Sequence, residues 1–187
     1  MAELRIELLG GFRVSVGGRA VPDVTWRRRK TAALVKLLAL APAHRLHREQ
    51  IMDALWPELD PAASGANLRK ALHHARRALD TPGEASVISS DADLISLPRD
   101  ELWLDVEAFQ TAVAAGRRTG EIGGYQRALS LYREGLLPED AYEEWAVGPR
   151  GELHLTYIAV LEELAGLLEA RGDLDRAVEV VRRLIAA

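Results

Sequence analysis

Two short runs near the N-terminus, LRIELL (Leu4 to Leu9) and FRVSV (Phe12 to Val16), alternate apolar and polar residues on either side of Gly10-Gly11. That is the pattern of an antiparallel hairpin. Gly17-Gly18 and Pro22 then punctuate a short return. From Thr25 the period becomes helical: Ala33, Leu34, Leu37, Leu38 and Ala41 recur at i, i+3 and i+4 until Pro42 stops the run. A second helix is expected from about Arg48 to Leu55, with Ile51, Met52 and Leu55 inward and Pro57 closing it. The loop WPELDPAAS leads into a third, from about Gly65 to Leu79, which Pro82-Gly83 ends. VISS and LISL flank Asp91-Ala92-Asp93 as a second hairpin. These elements complete one compact unit near residue 98.

Beyond it the pattern is helical throughout. Val106 to Arg117, Tyr125 to Glu134, Glu152 to Arg171 and Leu174 to Ala186 each carry an apolar stripe, with Gly, Pro or acidic loops between them. GEIGGYQRALSLYREGL (from Gly120) and GDLDRAVEVVRRLI (from Gly172) resemble each other: each has a Gly-acidic start followed by an alanine, Ala128 or Ala177, where two helices can approach closely. The signal is tetratricopeptide-like, at a separation too long for adjacent repeats, and predicts helical hairpins rather than a solenoid.

Composition narrows the class. With 187 residues, 48% of them apolar, the chain can bury two modest cores. It has no cysteine, which excludes disulfides and thiolate metal sites and suits a reducing cytoplasm. MAELRIELLGG lacks the blocks of a secretion signal, and Lys36 interrupts the longest apolar run well short of a membrane span. The expectation is a cytoplasmic protein with no membrane partner. The net charge of −4 is unevenly placed: 15 Lys+Arg stand against 12 Asp+Glu up to residue 100, and 9 against 16 after it. The basic excess lies in the N-terminal half.

Within that half, ANLRKALHHARRAL (Ala66 to Leu79) carries the chemistry. At about 100° per residue, Leu68, Leu72, Ala75 and Leu79 form one apolar stripe. Lys70, His73, His74 and Arg77 take the opposite face, with Arg69 and Arg76 on one flank and Asn67 near the other. No acidic residue interrupts Gly65 to Leu79. An ordinary solvated face mixes signs, because like charges at i,i+4 repel by a few tenths of a kcal/mol. An external anion is the economical reason for a helix to accept such repulsion. A helix fits the major groove of B-DNA, and Arg, Lys, His and Asn supply donors for phosphates and base edges. RRRK (Arg27 to Lys30), at the front of the first helix, is a second basic cluster at a positive helix N-terminus.

Other readings are poorer. His73 and His74, adjacent on a helix, point about 100° apart and have no Cys or acidic companion, so neither metal nor cofactor is expected. G-x-x-x-x-G-K-[ST] and G-x-S-x-G are absent, and Glu143-Glu144 and Glu162-Glu163 read as solvated helix faces, so an enzyme is not expected. Trp56 and Trp103 are expected to pack where helices and the second hairpin meet, and Trp145 to seal the second unit. The alternative to DNA binding is a helical protein-interaction adaptor, which the acidic C-terminal half suits and the all-basic helix face does not.

In ordered succession these segments resemble the antibiotic-regulatory-protein type of bacterial activator, an OmpR-type winged helix followed by a bacterial transcriptional activator domain. LRIELLGGFRVSVGGRAV resembles its N-terminal strands, RRRKTAALVKLLALAP its first helix, REQIMDALWPELDPAASGANLRKALHHARRAL its helix-turn-helix and VISSDADLISL its wing. LWLDVEAFQTAV, Leu136-Leu137-Pro138-Glu139-Asp140, YEEWAVGPRGELH and LLEARGDLDRAVEVVRRL are similar to its helical domain. The resemblance implies that Lys70 and His74 face base edges and that His73 and Arg76 meet phosphates. It also implies that the Trp56 to Ala63 loop touches RNA polymerase, in its sigma factor region. The family wing often carries a basic residue into the minor groove, whereas the tip here is Ser89-Ser90-Asp91-Ala92-Asp93.

The expectation is therefore a mainly α protein with small β elements: a winged helix-turn-helix domain over residues 1–98 and an all-α, tetratricopeptide-like domain over 99–187. Asn67, Lys70, His74 and Arg77 would contact bases. Arg27, Arg28, Arg29, Lys30, Arg69, His73 and Arg76 would contact phosphates, and Trp56, Glu58 and Asp60 the polymerase. The partners implied are double-stranded DNA, RNA polymerase and a second or further copy of the chain on direct repeats, because one helix in one groove discriminates too little. The chain ends at LIAA with no polar tail, as a piece of a longer regulator with ATPase or sensor domains would.

Overall fold

The alternation around Gly10-Gly11 does form strands. In the computed structural model, which describes residues 3–83 and 85–187, β1 (Leu4–Glu7) and β2 (Arg13–Val16) run antiparallel, with Leu4 opposite Val16 and Ile6 opposite Val14. All four of those side chains are buried, while Arg5, Glu7 and Arg13 form ion pairs on the other face. β3 (Arg19–Ala20) extends one edge of this sheet.

Next comes a helical trio. A 3-10 turn over Asp23–Arg27 buries Trp26 edge-on against Phe12 and leads into α1 (Arg29–Leu40). The amide of Ala41 closes α1 on the carbonyls of Leu37 and Leu38 just before Pro42. Lys36, in the middle of the apolar run, lies buried with its ammonium 4.7 Å from the centre of the Phe12 ring, so the charge that broke the run is accommodated in the core. β4 (Arg45–His47) follows, and α2 (Arg48–Leu55) begins where the Gln50 side chain accepts the His47 amide at 3.0 Å. α3 (Pro61–Leu79) starts four residues before the Gly65 expected. Asp60 caps it, its carboxylate accepting the amides of Ala62 and Ala63 at 2.9 Å each, and Pro61 occupies the first helical position.

The hairpin of β5 (Ser89–Asp91) and β6 (Leu94–Ser96) pairs through β6 with β4, giving a three-stranded sheet of order β4-β6-β5. Ile51, Leu55, Leu68, Leu79, Ile88 and Ile95 are fully buried in the core shared by trio and hairpin. Helix-turn-helix and wing together make this a winged helix.

The unit does not stop at residue 98. β7 (Leu102–Leu104) pairs parallel with β1, Leu102 opposite Leu4 and Leu104 opposite Ile6, so the first sheet reads β3-β2-β1-β7. The first compact unit comprises the residues up to Leu8 with Phe12–Leu104, and the second Leu9–Gly11 with Asp105–Ala187. Trp103 belongs to this sheet, with the Arg5 guanidinium 3.6 Å over its ring, and not to the meeting of helices and wing expected of it.

The second unit is all-α and tetratricopeptide-like, built on α4 (Asp105–Thr119), α5 (Ile122–Leu131), α6 (Glu144–Ala170) and α7 (Leu174–Ile185). α4 packs on α5 and α6 on α7 as helical hairpins. Gly120 and Gly172, the starts of the two similar segments, sit at φ of 66° and 75° where α4 and α6 end, a conformation that favours glycine. Ala128 and Ala177 are buried, yet the tightest approach lies elsewhere: a Cβ on Gly124 would fall 2.5 Å from the Cα of Gly116. α6 begins eight residues ahead of the Glu152 expected and runs through Pro149. Trp145 is half-buried, its indole N–H donating to Glu143 at 2.9 Å, and so does not seal the unit. Among the described residues no helix is long and apolar enough to cross a membrane.

Candidate nucleic-acid interface

α3 turns its side chains in two rows away from the core. Asn67, Lys70 and His74, at i, i+3 and i+7, follow one row; Arg69, His73 and Arg76 follow the other, and Arg77 extends between them. Arg69, Lys70, His73 and Arg77 are exposed, while Asn67, His74 and Arg76 are half-buried.

The first row is one wall of an open groove of about 530 Å³. The start of α1 supplies the opposite wall with Arg28, Arg29, Lys30 and Thr31, and Trp56 closes one side. The two basic clusters, forty residues apart in the chain, are therefore brought together. Arg28 donates from its guanidinium to Nε2 of His74. A nitrogen that accepts carries no proton, so that contact selects the neutral ring with its proton on Nδ1. Desolvation of the half-buried ring, followed by the positive charges of Arg28, His73 and Arg77, pushes the His74 pKa below the ordinary histidine value.

What the structure does not bring into the groove is equally specific. Arg27 lies on the 3-10 turn and is exposed. Arg69, His73 and Arg77 present themselves to solvent on the outer face of α3. Arg76 is committed to the wing: its Nε donates to the carbonyl of Ile88 at 3.1 Å and Nη2 to Oγ of Ser90 at 2.7 Å. The rings of His73 and His74 meet edge to face at 5.4 Å, and among the described residues no group of three His, Cys, Asp or Glu converges as metal ligands would. The wing tip, Asp91-Ala92-Asp93, is exposed and turns at a φ of 49° on Ala92.

The loop between α2 and α3 spans only Trp56 to Asp60, because Pro61 to Ala63 belong to α3. Glu58 is exposed; Asp60 spends one carboxylate oxygen on the helix cap. The link from Arg28 to His74 and the tie from Arg76 to the wing had no signal in the sequence, since each joins residues whose spacing follows no helical or strand period.

Charge compensation separates these basic clusters from the ion pairs elsewhere in the chain. Among the described residues no salt bridge involves Arg27, Arg28, Arg29, Arg69, Lys70, Arg76 or Arg77. In the second unit Arg117 pairs with Glu163 at 2.7 Å, Arg176 with Asp173 at 3.0 Å and Arg182 with Glu179 at 3.7 Å.

No protein-family model matches the chain, and no curated protein matches it. A solved structure of Mycobacterium tuberculosis EmbR in complex with a low affinity phosphopeptide is similar to it, with a TM-score of 0.63 at 18% sequence identity. The likeness covers 98% of this chain and 59% of that one, so the chain spans about three fifths of the EmbR chain. At that identity the likeness is one of fold.

Proposed function

We propose that the chain is a sequence-specific, double-stranded-DNA-binding transcription regulator. The first unit is its winged-helix DNA-binding domain and the second its helical activator domain. One observation carries the reading: Arg28 and Arg29 from the start of α1 and Lys70 from α3, none of them in a salt bridge among the described residues, converge on one groove, with Arg69 and Arg77 on the adjoining helix face. Phosphates, spaced along a duplex, supply the missing counter-charge, and releasing their condensed counterions drives binding. Asn67, Lys70, His74 and Arg77 read base edges. Arg27, Arg29, Lys30, Arg69 and His73 hold the backbone, and Arg76 joins them at the edge of the wing. The acidic wing tip stays out of the minor groove, where the negative potential would repel it.

Glu58 and Trp56 on the α2–α3 turn offer RNA polymerase a small acidic-aromatic contact beside the bound DNA, which makes the regulator an activator. Copies bind side by side on direct repeats, since one module buries too little surface for operator-level discrimination. A compartment that holds DNA and polymerase is the cytoplasm of a bacterium.

The test is duplex binding by the purified chain, with sites selected from genomic fragments. Wild-type affinity should fall on the order of a thousandfold between about 50 and about 200 mM salt, as expected for about six neutralised phosphates. Lys70→Ala with His74→Ala should lose site preference yet keep weak, salt-sensitive binding. Preference unchanged in that variant refutes the base-reading roles. No binding at low salt removes the DNA reading and leaves the helical adaptor.

A further inference from the structure

Arg28 is the basic residue at the front of α1 whose guanidinium is already engaged, and its partner is the half-buried His74. A guanidinium has donors only and no acceptor, so the imidazole nitrogen facing it must be the unprotonated one. The proton then resides on Nδ1, which has no hydrogen-bond partner among the described residues. Had Nε2 carried the proton, two donors would confront each other; had the ring been doubly protonated, two cations would. Among the described residues that line the groove none is acidic: Arg28, Arg29 and Lys30 from the start of α1 and Lys70 from α3 are cationic, with uncharged Trp56 and Asn67 completing the wall.

Resting on the proposed DNA-binding function, we infer that Arg28 is a positioning residue for base recognition: it locks His74 as the neutral Nδ1–H tautomer, which presents one donor to an acceptor on the base edge. Histidine without such a lock is ambiguous, because the neutral ring can offer either a donor or an acceptor from the same atom. A fixed Nδ1–H selects the acceptors of the major groove, namely guanine N7 or O6, adenine N7 or thymine O4, and rejects the amino group of cytosine or adenine. Arg28 thereby does more than hold a phosphate, which an untethered arginine beside it, such as Arg29, could do as well.

The state of the ring is measurable without DNA, and the consequence with it. Long-range 15N–1H spectra of the full chain should show His74 neutral and Nδ1-protonated at neutral pH. In Arg28→Ala the ring should become a tautomer mixture, whereas Arg28→Lys, which keeps a donor-only group, should retain the Nδ1–H form. Against a pool of randomised duplexes, Arg28→Ala should lower discrimination at one base pair about tenfold, the pair at which His74→Ala also loses it. The double variant should lose no more there, and Arg28→Lys should keep the preference. A wild-type ring that is protonated or Nε2–H at neutral pH overturns the lock. So does an Arg28→Ala that weakens all sequences equally and additively with His74→Ala. Absence of wild-type binding to any duplex instead overturns the DNA-binding reading, whatever the tautomer found.

Discussion

At the residue scale the tightest constraint in the second unit is the absence of two side chains. Gly124 faces Gly116 so closely that an added Cβ would also lie 3.3 Å from the carbonyl of Ala112, and both neighbours are backbone that cannot swing away. Gly124→Ala should therefore cost about 1–3 kcal/mol despite its better helix propensity, read as a lowered urea midpoint for the second unit. A gain in stability would show that α4 and α5 can separate freely. Glu163, in the sequence one of a pair of surface carboxylates, accepts three hydrogen bonds from Arg117, at 2.7 to 3.1 Å. That contact, ahead of a smaller contribution from the Tyr125 hydroxyl, holds its pKa below the usual carboxylate value. A folded pKa below the unfolded one gives stability that is present above the unfolded value and lost as pH falls through the folded one. Glu163→Gln should then be less stable by up to about 1 kcal/mol at neutral pH, a modest figure because both groups are partly exposed. The gap to wild type should close in acid; one that stays constant with pH would assign the effect to packing.

At the element scale the segments legible in the sequence were those long enough to show a period. α2, α4 and α7 fall close to their expected bounds because their apolar stripes recur, while α1, expected from Thr25, starts at Arg29 after the 3-10 turn. β4 and β7 were illegible: three residues carry no alternation, and each strand exists only because a distant partner, β6 or β1, offers it a ladder. Gly and Pro misled at both long helices. Pro61 reads as loop but suits the first turn of α3, and Gly148, Pro149 and Gly151 read as a break that α6 spans. Arg150 helps explain the second case, since its guanidinium collects the carbonyls of Leu136, Leu137, Asp140 and Ala141 from the segment ahead of α6. The α3 boundary changes the expectation for Asp60. Asp60→Ala should destabilise the first unit by about 0.5–2 kcal/mol through the lost cap, measured by denaturant titration. If stability is untouched, the cap contributes nothing and only a partner contact remains for that carboxylate.

For the molecule as a whole, the basic face of α3 was legible because an unbroken run of cations needs no tertiary information, whereas its closure into a groove depended on α1 folding back against it. The first unit extends to Leu104 rather than residue 98 for a related reason. Residues 99–104 look like a lead-in to α4, and only the pairing of Leu102 and Leu104 with Leu4 and Ile6 shows that they finish the N-terminal sheet. A fragment ending at Leu104 should accordingly be more resistant to proteolysis than one ending at residue 98. Equal protection of the two would mean that β7 adds nothing.

That pairing also dictates an order of events during synthesis. β1 is among the first segments to leave the ribosome and β7 is made almost a hundred residues later, so throughout that interval β1 has a bare edge on the side that β7 will cover. Loop closure over such a distance is slow, and an open strand edge is where chains stick to one another. A nascent chain halted anywhere before Leu104 is therefore a candidate for chaperone capture, and a pause placed shortly after β7 would let the winged-helix half finish before the helical half begins.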